Sequence, residues 1–249
     1  MIKVLIHGCN GKMGQEVQKQ LDNYEDFILV AGFDQINNGN FTFPVYTDFT
    51  KISEIPDVII DFSVPFASLK MLEYATEKHI PVVIATTGFT KEDDIKILEF
   101  SKNIPIFKSA NMSFDINLMS KILTQVAKEL PDSDIEIVET HHNRKIDSPS
   151  GTAILLANSI NNALDNTLQY DFDRMQKKEK RSKKEIGFSS IRGGNIVGEH
   201  SVMFFSEHET FEITHKAYSR SIFADGSIKA AKFIVDKQNG LFSMNDLIQ

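Results

Sequence analysis

The chain has 249 residues, 41% hydrophobic and 24% charged, with a formal net charge of −7; this supports a packed core, excludes wholesale disorder, and argues against a dedicated nucleic-acid binder, which carries a basic footprint. Its single cysteine, Cys9, excludes an internal disulfide and an all-cysteine metal site. No apolar run approaches the roughly 18 residues of a membrane span, and the run over 4–6 is too short for a signal-peptide core, so a soluble, cytoplasmic setting is expected.

Residues 2–6 form a short β-rich run, followed by a turn punctuated by Gly8, Gly11 and Gly14 and a helix with Val17 and Leu21 on one face. Further strands are expected over 27–31, 58–60, 82–85 and 104–107. Helices are expected over 65–78 and from Thr90, where Thr90 and Asp93 fit a capping box. Near-continuous apolar strands alternating with helices mark a parallel sheet covered on both faces.

Beyond Asn111 the rhythm changes. A helix over 115–130, a strand over 135–140, a polar loop and a helix over 150–164 lead to a charged stretch over 171–185. Strands over 187–191, 201–205 and 210–215 then cluster without helices between them, and a closing helix carries Ile228, Ala231 and Val235 on one face. The expected fold class is α/β: a Rossmann-like parallel-sheet domain plus an α+β substrate domain with a mixed, mostly antiparallel sheet. Residues 1–111 and 221–249 are expected to form the dinucleotide-binding domain, and 112–220 the substrate-binding and oligomerisation domain.

The glycine turn lies where strand meets helix. Gly8 permits the tight turn, Gly11 lets backbone approach a pyrophosphate, and Gly14 lets helix and strand pack closely. The helix start offers free N–H groups and a partial positive charge to phosphates, and Lys12 adds a full one. The spacing is Gly-x-x-Gly-x-x-Gly, with Asn10 where the common fingerprint has its second glycine. Asp34, 20 residues after Gly14, stands where an acid binds the adenosine ribose hydroxyls. A nicotinamide dinucleotide, NADH or NADPH, is therefore the expected cofactor. Asp34 favours an unphosphorylated ribose, Lys12 suits a 2′-phosphate, and Gln35 lacks the charge of an arginine, so the choice stays open. Cys9 has no nearby base and is not read as a nucleophile.

The densest polar run is Glu139-Thr140-His141-His142-Asn143-Arg144-Lys145-Ile146-Asp147-Ser148-Pro149-Ser150-Gly151-Thr152. Adjacent histidines point in different directions and no third ligand is spaced for zinc, so no metal site is expected. Ser150 is a natural N-cap, and Gly151 and Thr152 would then offer N–H groups and a hydroxyl, which suits a carboxylate. Histidine exchanges protons near neutral pH, and a lysine beside cationic neighbours is a plausible second donor. The loop reads as one that binds an anion and protonates it.

This run resembles the E-x-H-H-x-x-K-x-D-x-P-S-G-T signature of the 4-hydroxy-tetrahydrodipicolinate reductase (dihydrodipicolinate reductase) family. The likeness extends to Gly8-Cys9-Asn10-Gly11-Lys12-Met13-Gly14, Asp61-Phe62-Ser63, Thr86-Thr87-Gly88, Ser109-Ala110-Asn111-Met112, Ile191-Arg192-Gly193-Gly194, Ile196-Val197-Gly198-Glu199-His200 and Ile213-Thr214-His215-Lys216-Ala217. The resemblance implies reduction of 4-hydroxy-tetrahydrodipicolinate in diaminopimelate and lysine biosynthesis. By the same resemblance His141 and Lys145 would be the catalytic proton donors. His142, Ser150, Gly151 and Thr152 would bind the substrate. The cofactor would be lined by Gly8, Cys9, Asn10, Gly11, Lys12, Met13, Asp34, Ala85, Thr86, Thr87, Ser109, Ala110, Asn111 and Met112. Gln35 and Ala85 depart from the arginine and glycine common in the family. The implied partners are a small dicarboxylate substrate and further copies of the chain in a homotetramer, with no nucleic acid and no membrane.

Other readings are weaker. Tyr74 and Lys78 have the Tyr-x-x-x-Lys spacing of short-chain dehydrogenases but fall too early in the chain. The basic run over 177–184 reads as a solvated face, with no interleaved aromatics to stack on bases.

Overall fold

The computed structural model describes residues 1–38 and 41–248. In chain order it forms β1 (Ile2–His7), α1 (Lys12–Leu21), β2 (Phe27–Phe33), β3 (Val45–Tyr46), β4 (Val58–Asp61), α2 (Pro65–Lys78), β5 (Val82–Ile84), α3 (Lys91–Ser101) and β6 (Pro105–Lys108). Then come α4 (Phe114–Glu129), β7 (Asp134–His141), α5 (Gly151–Ala163), β8 (Gln169–Asp171), β9 (Glu185–Arg192), β10 (Gly198–Phe205) and β11 (Thr210–Ala217). The chain closes with α6 (Ser221–Ile234), β12 (Gly240–Phe242) and α7 (Met244–Leu247). Two compact units result, one from the described residues of Met1–Phe114 and Arg220–Gln249, the other from Asp115–Ser219.

The first unit is an α/β layer built on seven parallel strands in the order β12-β6-β5-β4-β1-β2-β3. Alternate residues serve opposite faces. Val4, Ile6, Val58 and Ile60 pack with α1 and α6 residues such as Val17, Ile228 and Ala231, whereas Leu5, Ile59, Val82 and Ile84 pack with Met71, Leu72 and Ile97 of α2 and α3. Both faces being covered explains the unbroken apolar strands. Each buried aliphatic side chain contributes roughly 1.5–3 kcal/mol. Local signals place the helix ends. Pro65 opens α2 and left-handed His79 (φ 56°) closes it. Thr90 and Asp93 form the expected reciprocal capping box at α3.

The second unit holds a five-stranded mixed sheet in the order β11-β10-β7-β9-β8. It is antiparallel on one side of β7, toward β10 and β11, and parallel on the other, toward β9 and β8. One face is covered by α4 and α5 through Leu123, Ala127, Leu156, Ala157 and Ile160. Along β7 the inward positions are Ile135, Ile137, Glu139 and His141, so an apolar stripe turns polar on the same face at the strand's C-terminal end.

Several features depart from the sequence expectations. The short elements β3, β8, β12 and α7 carry too few residues to show a periodic pattern. Ile234 takes the buried position at the end of α6, and Val235 caps the helix. The stretch over 171–185 is not simply solvated. Arg181 donates from Nε to Glu136 (3.1 Å), from Nη1 to Asp134 (3.1 Å), and from Nη2 to the carbonyls of Ile135 (2.8 Å) and Glu185 (2.9 Å). No described helix is long and apolar enough to cross a membrane.

Candidate functional site

In the first unit the carboxyl ends of the parallel strands carry the residues picked out from sequence. The chain leaves β1 at Gly8, whose φ of +83° favours glycine and where a Cβ would lie 2.6 Å from the Phe62 carbonyl oxygen. A Cβ at Gly14 would lie 2.2 Å from the Gly8 carbonyl oxygen, so α1 lies against the turn only because that position is bare. Gly11 is the N-cap of α1 and supplies no side-chain cap, which leaves the first amides of Lys12 and Met13 without an intrahelical partner. The neighbours of β1 are β2 and β4, and the sheet reverses its strand order there, the place where α/β sheets bind ligands.

Asp34 stands just past β2. Its Oδ2 accepts from the Asn10 N–H (2.8 Å) and its Oδ1 from the Gln35 N–H (2.7 Å), so the acid fixes the glycine turn. Asn10 Nδ2 donates to the Ile36 carbonyl (2.6 Å), which uses the side chain that replaces the usual glycine. Cys9 is buried. Burial, then the Asp34 charge, pushes its thiol up to about 12, so it is no nucleophile.

Ala85, Thr86 and Thr87 follow β5, and Ser109, Ala110, Asn111 and Met112 follow β6. Thr86 is turned inward: its hydroxyl donates to Asp61 Oδ2 (3.0 Å) and accepts from the Ser63 N–H (2.9 Å), while Thr87 is exposed. The fully buried Asp61 also accepts from the hydroxyls of Ser63 (2.6 Å) and Ser68, and faces His7 Nδ1 at 2.9 Å. Burial works to raise the Asp61 carboxyl, and His7, Ser63 and Ser68 outweigh it and hold it below its ordinary value.

The second unit concentrates its polar groups where β7 meets α5. Glu139 is 1% exposed and His141 8% exposed. His141 Nδ1 lies 2.5 Å from Glu139 Oε2. Arg192, opposite His141 on β9, forks onto the same carboxylate with Nη1 to Oε2 (2.8 Å) and Nη2 to Oε1 (2.7 Å). The Ser150 N–H also donates to Oε1 (3.2 Å). Burial works to raise the Glu139 carboxyl; hydrogen bonds from His141, Arg192 and Ser190 more than reverse this and hold it well below the usual carboxylate range.

Ser150 caps α5 as expected, its Oγ accepting from the Ala153 N–H (3.1 Å). That Oγ also lies 3.0 Å from His200 Nε2. His200 is 4% exposed, and burial, reinforced by the His141 charge, pushes it down to about 3, so it is neutral. Gly151 is exposed with open space around its α-carbon.

Lys145 differs from the sequence expectation. Its Nζ bonds both oxygens of Asp147 (2.7 and 2.8 Å), so its nearest charged partner is a carboxylate rather than the neighbouring cations. Arg144 turns away onto Asn195 (2.9 Å). Lys145 holds the Asp147 carboxyl below its ordinary value against burial, with smaller help from nearby backbone N–H groups. His142 is half-buried, its N–H bonded to the Ile196 carbonyl (2.8 Å).

The structure thus gathers Glu139, His141, Ser150, Arg192 and His200 into one network, with Lys145 and Asp147 at the same helix start. Sequence reasoning named Glu139, Arg192 and His200 only inside motifs. The period-two burial of β7 signals that Glu139 shares a face with His141, but only the strand register reveals Arg192 and His200. Among the described residues no group of three or more His, Cys, Asp or Glu is placed to hold a metal.

A family model described as "Dihydrodipicolinate reductase, N-terminus" matches residues 2–112, and "Dihydrodipicolinate reductase, C-terminus" matches 115–248. A 4-hydroxy-tetrahydrodipicolinate reductase from Caldanaerobacter subterraneus is 47% identical over 100% of this chain and 99% of its own. One from Clostridium tetani is 45% identical over 100% and 97%. A dipicolinate-bound dihydrodipicolinate reductase from Paenisporosarcina sp. superposes with a TM-score of 0.84 at 27% identity, covering 100% of both chains.

Proposed function

The chain belongs to the dihydrodipicolinate reductase family, a family of oxidoreductases, and from that premise we propose that it reduces 4-hydroxy-tetrahydrodipicolinate to tetrahydrodipicolinate with NADH or NADPH. One observation carries the reading. A carboxylate of the chain itself, Asp147, sits on the Lys145 ammonium in the loop that leads to the start of α5. That corner is competent to hold a carboxylate, and a ring dicarboxylate brings one.

The residues fit a dinucleotide. Gly8, Gly11 and Gly14 keep three points of the turn bare, and the uncapped start of α1 offers amides to a pyrophosphate. Asp34 would take the ribose hydroxyls through lone pairs beyond those given to Asn10 and Gln35. Thr87 and the Ser109–Met112 turn would flank the nicotinamide side. When bound, the nicotinamide supplies hydride.

Reactant and product differ by a hydroxyl replaced by hydrogen, so hydride and a proton enter and water leaves. Lys145, Gly151 and Thr152 would anchor one carboxylate and orient the ring, with His142 against it. His141 would present its Nε2 proton to quench the negative charge that hydride addition builds, with Lys145 as the second donor. This reading places the protein in the cytoplasm, in diaminopimelate and lysine biosynthesis, as a homotetramer; light scattering checks the assembly. Lys145→Ala should lower kcat by about 10²–10⁴-fold while the dissociation constant for NADH, read by fluorescence, stays unchanged. Unchanged turnover in this variant would overturn the assignment.

A further inference from the structure

We propose that Glu139, fixed as an anion by Arg192, is the positioning residue that sets the tautomer and proton affinity of His141 and ties it to the Ser150 helix start. The inference rests on the reading of His141 as a proton donor and goes beyond it by assigning the groups that tune that donor.

Geometry carries the claim. Besides Ser190, four donors meet the two Glu139 oxygens: His141 Nδ1 and Arg192 Nη1 on Oε2, Arg192 Nη2 and the Ser150 N–H on Oε1. A carboxylate so saturated offers no proton, so Nδ1 carries the hydrogen of this contact and Nε2 is the atom left to exchange one. The opposite side of the ring has room for that role. His141 Nε2 faces Gly198, where a Cβ would come within 3.0 Å of it, so a glycine keeps Nε2 uncrowded.

Arg192 is directly opposite His141 in the β7–β9 register, yet its guanidinium reaches Glu139. Two opposing charges therefore act on the imidazole. Removing the anion and removing the cation act on the imidazole with opposite sign. The other titratable groups near the ring are His200 on β10 (ring centroids 5.1 Å apart), His215 opposite His200 on β11, and the Lys145–Asp147 pair in the loop. Of these, His200 also feels the Glu139 charge, and Asp147 interacts with Arg192, whose Nη2 donates to the Asp147 carbonyl (2.8 Å). The Ser150 bond to Glu139 makes the carboxylate-binding helix start and the proton donor move as one.

The test compares Glu139→Gln with Arg192→Met. A donor must be protonated, so kcat falls as pH rises past its titration. In Glu139→Gln that alkaline limb should move down by about 1–3 pH units; in Arg192→Met, which leaves the anion uncompensated, it should move up. KM for NADH should not move in either. A role confined to folding gives no such opposite signs. The same titration is followed without substrate by NMR of the labelled His141 ring, which should also show the Nδ1–H tautomer in the wild type. Limbs that stay put, or that shift in the same direction, overturn the proposal. If Glu139→Gln does not fold, Arg192→Met alone decides: an upward shift supports it and none refutes it. A wild type that titrates as described but oxidises no NADH or NADPH with the substrate refutes the reaction and leaves the Glu139 assignment supported.

Discussion

Buried His200 makes the folded protein sensitive to mild acid. Burial and the His141 charge push its titration from 6.5 down to about 3, and Ser150 Oγ sits on its Nε2 at 3.0 Å. The unfolded chain takes up a proton below about pH 6.5 and the folded one does not until about pH 3. The stability this provides is complete above pH 6.5 and is lost as pH falls toward 3, at about 1.4 kcal/mol per pH unit. Between pH 7.5 and 5.5 the loss from His200 is therefore about 1.4 kcal/mol. That window avoids Glu139 and Asp61, whose depressed carboxyls lose their contribution only below about pH 4.5. His215, also lowered by burial, acts in the same direction but is present in both proteins of the comparison. Urea unfolding of the wild type and of His200→Gln at the two pH values measures the difference. The wild type should lose about 1.4 kcal/mol more than the variant. Equal losses would show that His200 is not held neutral, and the reasoning about the buried network would fail.

Other outcomes follow from the same geometry. Gly14→Ala places a Cβ 2.2 Å from the Gly8 carbonyl oxygen, so α1 must shift; NADH binding by fluorescence titration should weaken at least tenfold, and retained binding would contradict the close-packing argument. Gln35→Arg puts a guanidinium beside the exposed position after Asp34; kcat/KM for NADPH should rise about tenfold or more relative to NADH, as steady-state kinetics would show. Asp147→Asn removes the internal carboxylate from Lys145. Dipicolinate should then bind more tightly by calorimetry, and weaker binding would mean that Asp147 arranges the corner rather than occupies it.

The parts of this architecture readable from sequence are those with strong local causes. Helix α2 is bounded by Pro65 and by left-handed His79, and α3 by its Thr90–Asp93 box, so the expected limits fall close to the real ones. The strands β1, β4 and β5 are unmistakable because both faces are buried. The short β12 has no such signal: it exists because Leu241 lines up beside Ile106 at the sheet edge, a partnership made across more than 130 residues. Arg181 reads as one more cation in a basic run until Glu136, Asp134 and two carbonyls come together around it. In the site, the loop from His141 to Thr152 is legible because its residues are contiguous. Arg192 and His200 are not, because only strand pairing brings them to Glu139 and Ser150. The surroundings of Lys145 are hidden for a related reason: adjacency in sequence points to cationic neighbours, whereas the folded loop turns Arg144 away and folds Asp147 back.

The most direct measurement follows nicotinamide absorbance while 4-hydroxy-tetrahydrodipicolinate is made in situ by its synthase. The wild-type chain should oxidise NADH or NADPH only when that substrate is supplied, and Lys145→Ala should lose the oxidation while still binding cofactor. No substrate-dependent oxidation by the folded wild-type protein with either cofactor would contradict the account.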